Sequence, residues 1–428
     1  MTTWTQQPHQ QEEREDFALN QAFVSATGGS IHRPNTLQRA LFPRLLSQDT
    51  GLVIPTAPGA GRLEAVLVPS ITAWPAATSM QRLFVIGPDN GTLDDYAFRL
   101  IPYIKSLCAT DGISRTVYFG ENGAPATCVR YMPDGSVVDG VCEHPLDGGV
   151  DLVVTCFSEF RSLFFGAGGV HGLPASVDTG IDDPLAPERR DLFYFDDAHS
   201  YQPDEFTSFL RLVEFLFAED LDVVIGTTSW NPTIQAQLAF LEVLSLPEAN
   251  NDPHCTIEYC GNTQGGWEDI RVIDVVRVAD RPVFVAENDE GIPALQAIIR
   301  KHLGVEPAVY TSSLPASERL KIYEGLKASE RSSDGYILIA DAAAFETADL
   351  SSDVVVTGLC PPEGLVRRAG RCNRHGCFAK ARLIVVDSGW PDVVRTMPVD
   401  LRSEYNATLT GLTAPSPFSL AEWQRFVA

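Results

Sequence analysis

DLFYFDDAH, residues 191–199, is a short apolar run that ends in two carboxylates, and similar runs recur along the chain. They include GLVIP (51–55), RLFVIGP (82–88), DLVVTCF (151–157) and DVVIGTT (222–228), and helical patterns separate them. Short continuous apolar strands that alternate with helices are typical of a parallel sheet covered on both faces. The sequence therefore predicts an α/β fold.

A second series of strands follows the first. It comprises PVFVA (282–286), AVYTS (308–312), YILIAD (336–341), DVVVTGL (353–359) and ARLIVVD (381–387). A length of 428 residues leaves room for two or three domains, and an Asn-, Pro- and Gly-rich segment separates the two series. We predict a lead-in over 1–30, a first domain over 31–245, a linker over 246–270, a second domain over 271–390 and a tail over 391–428.

The chain is strongly acidic. It has 32 basic and 56 acidic residues, a net charge of −24, and only five of the basic residues are lysines. Such a surface repels phosphate, which argues against a nucleic-acid partner. The same composition also suits a protein that works in concentrated intracellular salt, where charges are screened over short distances. Both interpretations stay open at this point.

Nine cysteines, an odd number, are spread through the chain, and the polar, acidic N-terminus does not resemble a secretory signal. No apolar run approaches the length of about 20 residues that a membrane span needs. We therefore expect a cytoplasmic protein with reduced thiols. The pairs Cys255/Cys260 and Cys372/Cys377 lack the C-x2-C spacing common in zinc sites, and we expect them to be plain thiols.

A Gly-rich loop, PTAPGAGRLEA (55–65), lies between a predicted strand and a predicted helix, where a phosphate-binding loop belongs. Such a loop reads G-x-G-K-[ST]. The residues here are Gly59, Ala60, Gly61, Arg62 and Leu63. Arginine keeps the charge of the lysine but not its compact shape, and leucine cannot bind a metal. Taken alone, the loop is more typical of a plain strand-to-helix turn than of a nucleotide site.

Two further segments favour a nucleotide site. Asp196 and Asp197 end an apolar strand, where a mononucleotide-binding fold places its magnesium ligand and its general base, although two surface aspartates in a turn are the alternative. LVRRAGRCNRHG (365–376) carries four arginines within an acidic protein. They favour an anion site over a solvated basic helix, because guanidinium groups bind phosphate.

The order of these segments resembles the two RecA-like domains of superfamily-two helicases of the DEAH type. RRAGRCNR (367–374) is similar to the Q-R-A-G-R-x-N-R string of the CRISPR-associated type I, Cas-three-type, helicases. Weaker similarities are PNTLQ (34–38) to the adenine-contacting motif, GTTS (226–229) to the S-A-T motif, TSSL (311–314) with Glu318-Arg319 to H-S-R-F…D-R, and ADAAAFETADLSSD (340–353) to T-Q-x-x-E-x-G-x-D. The resemblance covers about residues 31–390.

This resemblance implies two tandem RecA-like domains with parallel sheets that bind ATP and Mg²⁺ and move along single-stranded DNA. Asp196 would hold the magnesium ion, Asp197 would activate the water, and Arg371 and Arg374 would be arginine fingers. The other nucleotide contacts would come from Gln38, Gly59, Ala60, Gly61, Arg62, Leu63 and Arg368.

Several positions depart from the family pattern. Arg62 and Leu63 replace the lysine and the hydroxyl, Asp197 replaces a longer glutamate, and Asp341 with Ala342 replaces the Thr-Gln pair that would contact the DNA backbone. Arg367 likewise replaces a glutamine. The sequence also shows no counterpart of the family's HD nuclease domain, so we expect any nuclease to be a separate subunit.

The leading hypothesis is a helicase-like effector subunit of a type I CRISPR antiviral system that translocates on target DNA and unwinds it at the expense of ATP. Its partners would be single-stranded DNA, the surveillance complex and the separate nuclease. The alternative is a catalytically degenerate helicase-fold subunit that serves as a docking module. An unrelated two-domain α/β protein is a third, weaker reading.

Overall fold

The computed structural model describes part of the chain, in two units. The described residues are 19–26, 34–46, 51–56, 61–73, 82–88, 90–120, 127–140, 149–165, 191–198, 201, 203–219, 221–227, 230, 232–244, 255–261, 266–332, 334–374, 378–386, 399–413 and 423. The first unit ends at Ala249 and the second begins at Asn250. Each unit has its own sheet and is described by itself.

The described part of the first unit forms a nine-stranded sheet in the order β5-β4-β3-β6-β2-β7-β8-β1-β9. The strands are β1 (Leu52–Pro55), β2 (Arg82–Gly87), β3 (Arg115–Phe119), β4 (Thr127–Tyr131), β5 (Val137–Asp139), β6 (Leu152–Cys156), β7 (Asp191–Phe195), β8 (Asp222–Thr227) and β9 (Glu242–Val243). The pairs that β4 makes with β3 and β5 are antiparallel, and the other pairs are parallel.

Helices cover both faces of this sheet. They are α1 (19–26), α2 (Thr36–Leu46), α3 (Arg62–Ala73), α4 (Asn90–Asp111), α5 (Phe157–Phe165), α6 (Pro203–Ala218) and α7 (Pro232–Gln237). Along β2, Leu83 and Val85 belong to one apolar core and Phe84 and Ile86 to the other. Because successive side chains of a strand point to opposite faces, a strand buried on both faces must be apolar throughout.

A hairpin of β4 and β5 extends the sheet at the edge that β3 provides. The ammonium of Lys105 lies 5.9 Å from the centroid of the Tyr131 ring, which ties α4 to this hairpin. Cys128, on β4, is disulfide-bonded. The expectation that all cysteines are reduced thiols is therefore wrong at Cys128, since the count and spacing of cysteines do not show which of them pair.

The described part of the second unit forms a six-stranded sheet in the order β10-β15-β14-β11-β13-β12, and all of its pairs are parallel. The strands are β10 (Thr256–Cys260), β11 (Pro282–Ala286), β12 (Ala308–Tyr310), β13 (Leu338–Asp341), β14 (Val354–Gly358) and β15 (Arg382–Val386). The helices are α8 (Ile270–Arg277), α9 (Ile292–Leu303), α10 (Ala316–Ser332), α11 (Ala342–Thr347), α12 (Pro362–Ala369) and α13 (Val399–Thr413).

Two elements lie in segments that the sequence assigns to connections. Strand β10 falls within residues 246–270, the expected linker, and pairs with β15 from Thr256↔Arg382 to Cys260↔Val386. It is an edge strand whose side chains stay partly exposed, so its sequence lacks a continuous apolar run. Helix α13 lies within the expected tail and packs against α12 and β10.

Two parallel-dominated sheets with helices confirm the predicted α/β class. None of the helices in the described parts of the chain has both the length and the apolar character that crossing a bilayer requires.

Candidate functional site of the first unit

The Gly-rich loop is described only at its end. Gly59 and Ala60 lie outside the described residues, and Gly61, with φ of 74°, precedes the start of α3 at Arg62. A Cβ on Gly61 would lie 2.9 Å from Nε2 of Gln38, so the left-handed backbone and the close approach both require glycine. Gln38 also exchanges two 2.9 Å bonds with Asn35, which forms a capping box at the start of α2.

The two carboxylates follow β7 at its carboxyl end. The backbone N–H of Asp196 still donates to the carbonyl of Ile86 on β2 at 3.0 Å, which fixes its position at the sheet edge. Asp197 adopts φ of 49°, a left-handed conformation that aspartate tolerates better than most residues. The chain turns sharply there, and the two carboxylates lie side by side. His199 is outside the described residues.

Arg62 binds both carboxylates. Its Nε donates to Oδ1 of Asp196 at 3.2 Å and its Nη2 donates to Oδ1 of Asp197, while Nη1 donates to the carbonyl of Thr56 at 3.4 Å. Arg62 and Asp196 are buried, at 8% and 6% exposure. Burial works to lower the pKa of Arg62, but the charges of Asp196 and Asp197 outweigh it and raise the pKa. The arginine is thus permanently charged and serves as the counter-ion of the acid pair.

Two buried tyrosines complete the cluster. The hydroxyl of Tyr96, on α4, donates to Oδ2 of Asp196 at 2.7 Å, and that of Tyr194, on β7, donates to Oδ1 at 2.7 Å. Burial first, and the negative charge of Asp196 second, raise the pKa of both phenols well above the usual value. Sequence reasoning missed both. Tyr194 reads as a core residue of an apolar strand, and Tyr96 precedes its partner by 100 positions.

Strand β8 packs against this cluster through Gly226. A Cβ on Gly226 would lie 2.8 Å from Oδ1 of Asp196 and 2.8 Å from the hydroxyl of Tyr194. Only glycine therefore lets this strand approach the acid. Thr227 is buried, and the remaining two residues of the GTTS segment lie outside the described residues.

The residues present do not fit the magnesium ion that the resemblance implies at Asp196. A carboxylate offers about four lone-pair positions, and Asp196 already accepts from Tyr96, Tyr194, Arg62 and the N–H of Asp197. Leu63 supplies no oxygen ligand, and Asp197 bonds to Arg62. Within the described residues, no group of three or more His, Cys, Asp or Glu side chains forms a metal site either.

In the second unit, Arg368 is part of an internal ion-pair cluster. Its guanidinium, 2% exposed, donates to Glu346 at 2.9 Å, to Glu287 at 2.7 Å and to the hydroxyl of Thr357. Burial opposes the charge, but Cys360 and the two glutamates raise the pKa of Arg368 well above the usual value. Burial also raises the pKa of the nearby Cys360 thiol to about 12.

Arg371 and Arg374 lie on the loop after α12. Nη2 of Arg371 donates to the carbonyl of Glu346, and Nε of Arg374 donates to Oδ1 of Asp349 at 2.7 Å. Within the described residues, Nε and Nη1 of Arg371 and Nη1 of Arg374 are buried and have no acceptor. A buried donor without an acceptor is energetically costly. The predicted roles of Arg368, Arg371 and Arg374 stay predictions.

Asp341, in the position where the family has a threonine, holds two neighbouring segments together. Its Oδ2 accepts from the N–H and the hydroxyl of Ser312, at 2.8 and 2.6 Å, and its Oδ1 accepts from the N–H of Ala344 at 2.7 Å. The carboxylate thus caps α11 and fixes the loop after β12.

Comparison with solved structures shows the class of fold to which this chain belongs. Helicases of two parallel α/β units share this fold. In the crystal structure of T. fusca Cas3 with ATP, 95% of this chain aligns with 53% of that chain, at 15% identity and a TM-score of 0.56. The chain is therefore a helicase-fold protein.

The second unit also matches a family model. Residues 283–377 match the family model of the C-terminal part of the CRISPR-associated nuclease/helicase Cas3. The resemblance to Cas3-type superfamily-two helicases, predicted from the sequence, is confirmed. No curated protein matches the chain.

Two other helicases are similar in fold. Lhr of Mycobacterium smegmatis, bound to ssDNA and AMP-PNP, has 14% identity and a TM-score of 0.57, with 87% of this chain aligned to 48% of that chain. Dbp5 of S. cerevisiae, bound to RNA and ADP BeF3, has 12% identity and a TM-score of 0.58, with 95% of this chain aligned to 96% of that chain. The chain spans about half the length of the Lhr and Cas3 chains.

Proposed function

We propose that this chain is the helicase-like subunit of a type I CRISPR effector and that it acts as a docking module, with magnesium-dependent ATP hydrolysis lost. The fold and the Cas3-like match over residues 283–377 support the family-level part. One observation supports the loss of ATP hydrolysis. Arg62 forms ion pairs with both Asp196 and Asp197, the two carboxylates that hydrolysis would need.

The charge of the cluster disfavours a nucleoside triphosphate. One arginine faces two aspartates, which leaves one negative charge where the outer phosphates of ATP would lie. In an active phosphate-binding loop a lysine and a metal ion neutralise those phosphates. Here the cation is already used by the protein's own acids, so a triphosphate would meet repulsion.

The second unit offers an independent argument about DNA. Asp341 occupies the place where the resemblance expects a contact to the DNA backbone, and it is buried and bonded to Ser312 and Ala344. A carboxylate there repels a phosphate. Together with a net charge of −24, it favours docking to a protein complex over tracking along single-stranded DNA.

The second candidate is the ATP-driven motor, which would translocate on target DNA, unwind it, and leave cutting to a separate nuclease subunit. Two observations favour it. Gly61 keeps the left-handed backbone of a phosphate-binding loop with Gln38 beside it. Arg371 keeps two buried guanidinium N–H groups that no acceptor within the described residues satisfies.

The deciding experiment measures ATP hydrolysis with Mg²⁺, with and without single-stranded DNA, from low to molar KCl. Asp196→Ala is the catalytic control, and its melting temperature is compared with that of the wild type. We expect the wild type to hydrolyse ATP no faster than Asp196→Ala, with or without DNA. DNA-stimulated turnover that is lost in Asp196→Ala would establish the motor instead.

Docking is tested with the surveillance complex of the same CRISPR system. We expect the wild type and Asp197→Asn to co-elute with that complex equally well, with or without ATP. Binding that requires ATP, or no binding at any salt concentration, would contradict a docking role.

A further inference from the structure

Asp196 is enclosed by groups from four different segments of the first unit. Arg62 comes from the start of α3, Tyr96 from α4 and Tyr194 from β7, while Gly226 of β8 packs against the acid. Tyr96 and Tyr194 are 3% and 0% exposed. Neither belongs to a motif of the expected nucleotide site, so their shared bond to one carboxylate calls for an explanation of its own.

A tyrosine hydroxyl bonds to each oxygen of this carboxylate. Oδ1 accepts from Tyr194 at 2.7 Å, from the N–H of Asp197 at 3.1 Å and from Arg62 at 3.2 Å, and Oδ2 accepts from Tyr96 at 2.7 Å. Magnesium demands oxygen ligands in a near-octahedral arrangement at short distance. A divalent cation that bound Asp196 directly would have to share either oxygen with the hydroxyl of a buried tyrosine.

The phenols are buried more deeply than the arginine. Arg62 is 8% exposed, whereas Tyr96 and Tyr194 are 3% and 0% exposed, and a Cβ on Gly226 would lie 2.8 Å from the hydroxyl of Tyr194. Displacing either hydroxyl would also leave a buried donor unsatisfied, at a cost of about 1–3 kcal/mol. Restoring the lysine and the hydroxyl of the loop would therefore not be enough to free Asp196.

We propose that Tyr96 and Tyr194 are cation-excluding residues: by bonding both oxygens of Asp196 they convert a metal-binding carboxylate into a structural ion-pair partner of Arg62. This inference rests on the proposed loss of magnesium-dependent hydrolysis and names the residues that maintain it. It also explains why Arg62, rather than a lysine, is tolerated in the loop. With a metal ion kept away from Asp196, the planar guanidinium of Arg62 can bridge Asp196 and Asp197.

The test measures Mn²⁺ binding by electron paramagnetic resonance, without nucleotide, in four forms of the full chain. They are the wild type, the loop variant Arg62→Lys/Leu63→Thr, the loop variant with Tyr96→Phe and Tyr194→Phe, and the loop variant with Tyr118→Phe. Tyr118 is the matched control because its buried hydroxyl lies beside Glu159, at 3.5 Å, and not beside Asp196. Melting temperatures establish that each form is folded.

We expect weak binding in the wild type, the loop variant and the Tyr118 control. The form with both phenylalanines should bind Mn²⁺ at least about tenfold more tightly, the size of effect typical of groups around a metal ligand. If that form does not fold, Tyr96→Phe in the loop variant, which frees Oδ2 alone, should still strengthen binding above the Tyr118 control.

Two results would overturn the inference: tight Mn²⁺ binding by the loop variant alone, or no gain from removing the phenols in a folded protein. Neither result depends on hydrolysis by the wild type. Conversely, magnesium-dependent turnover by the wild type would refute the proposed function, whatever the phenylalanine variants do.

Discussion

The two units neutralise their charged residues in opposite ways. In the first unit one guanidinium, that of Arg62, serves two carboxylates, and a tyrosine hydroxyl bonds to each oxygen of Asp196. In the second unit two arginines share one carboxylate. Arg368 and Arg367 both reach Glu346, and Arg371 keeps guanidinium N–H groups without an acceptor among the described residues. The first cluster is short of cations, while the second has guanidinium N–H groups to spare among the described residues.

This difference follows the pattern of family similarity. The match to the Cas3 family lies within residues 283–377, in the second unit, where the arginine segment is found. The loop and the acid pair of the first unit carry the substitutions Arg62, Leu63 and Asp197. The comparison teaches that the unit that matches the family model is the one in which two arginines share a carboxylate, whereas in the other unit two carboxylates share one arginine.

The largest expected effect is in the second cluster. Arg368→Ala should lower the free energy of unfolding of the second unit by about 3 kcal/mol, because it removes the nearest counter-ion of the mostly buried Glu346 and leaves that carboxylate only the longer pair to Arg367. Urea unfolding followed by circular dichroism measures it. Arg367→Ala is the control: its ion pairs are 3.6 and 3.8 Å long and half-exposed, so its loss should cost about 0–1 kcal/mol. Equal costs for both variants would show that Arg368 is not the centre of the cluster.

An intermediate effect is expected from Gly226→Ala, which adds one methyl group and no charge to the first cluster. The added Cβ would lie 2.8 Å from Asp196 and from Tyr194, so the variant should lose about 1–3 kcal/mol of stability. Thermal melting measures the loss. Gly325→Ala, on α10 with open space around its Cβ, is the control and should not destabilise. A neutral Gly226→Ala variant would mean that the cluster is looser than its distances indicate.

The smallest effect is in the pH dependence of stability. Since Tyr96 has a pKa well above 10 in the folded protein, its contribution is fully present below pH 10 and is lost as the pH rises above the pKa of the unfolded chain. At pH 10.5 the wild type should therefore lose about 0.8 kcal/mol that Tyr96→Phe does not lose. Urea unfolding of both forms at pH 8 and pH 10.5 tests it. Parallel losses in the two forms would contradict a buried, neutral Tyr96.

Much of the fold could be predicted because the buried strands are continuous apolar runs. LVIP and RLFVIG, for example, appear as β1 and β2 within one residue of the expected positions. The edge strand β10 could not be read in this way, since only partial burial shapes its sequence. The start of α4 at Asn90 is not evident from the sequence either, because the first turn of this helix is polar.

The candidate site was predictable only in part. The positions of Arg62 and Asp196 between strands and helices indicated that they approach each other, because the carboxyl ends of parallel strands share one sheet edge. Whether the arginine would face a phosphate or the acids depends on the geometry of its side chain. The role of Tyr96 could not be predicted from the sequence, because a tyrosine in an amphipathic helix gives the same pattern whether or not its hydroxyl bonds to a carboxylate.

Lys105, which lies over the Tyr131 ring, is the one lysine in the first 249 residues. Among the lysines of the first unit, an amine-reactive cross-linker can therefore react only with Lys105, near the β4–β5 hairpin. Carboxyl-directed reagents, for which the chain offers 56 acidic side chains, are the better choice for mapping where this protein contacts a larger assembly.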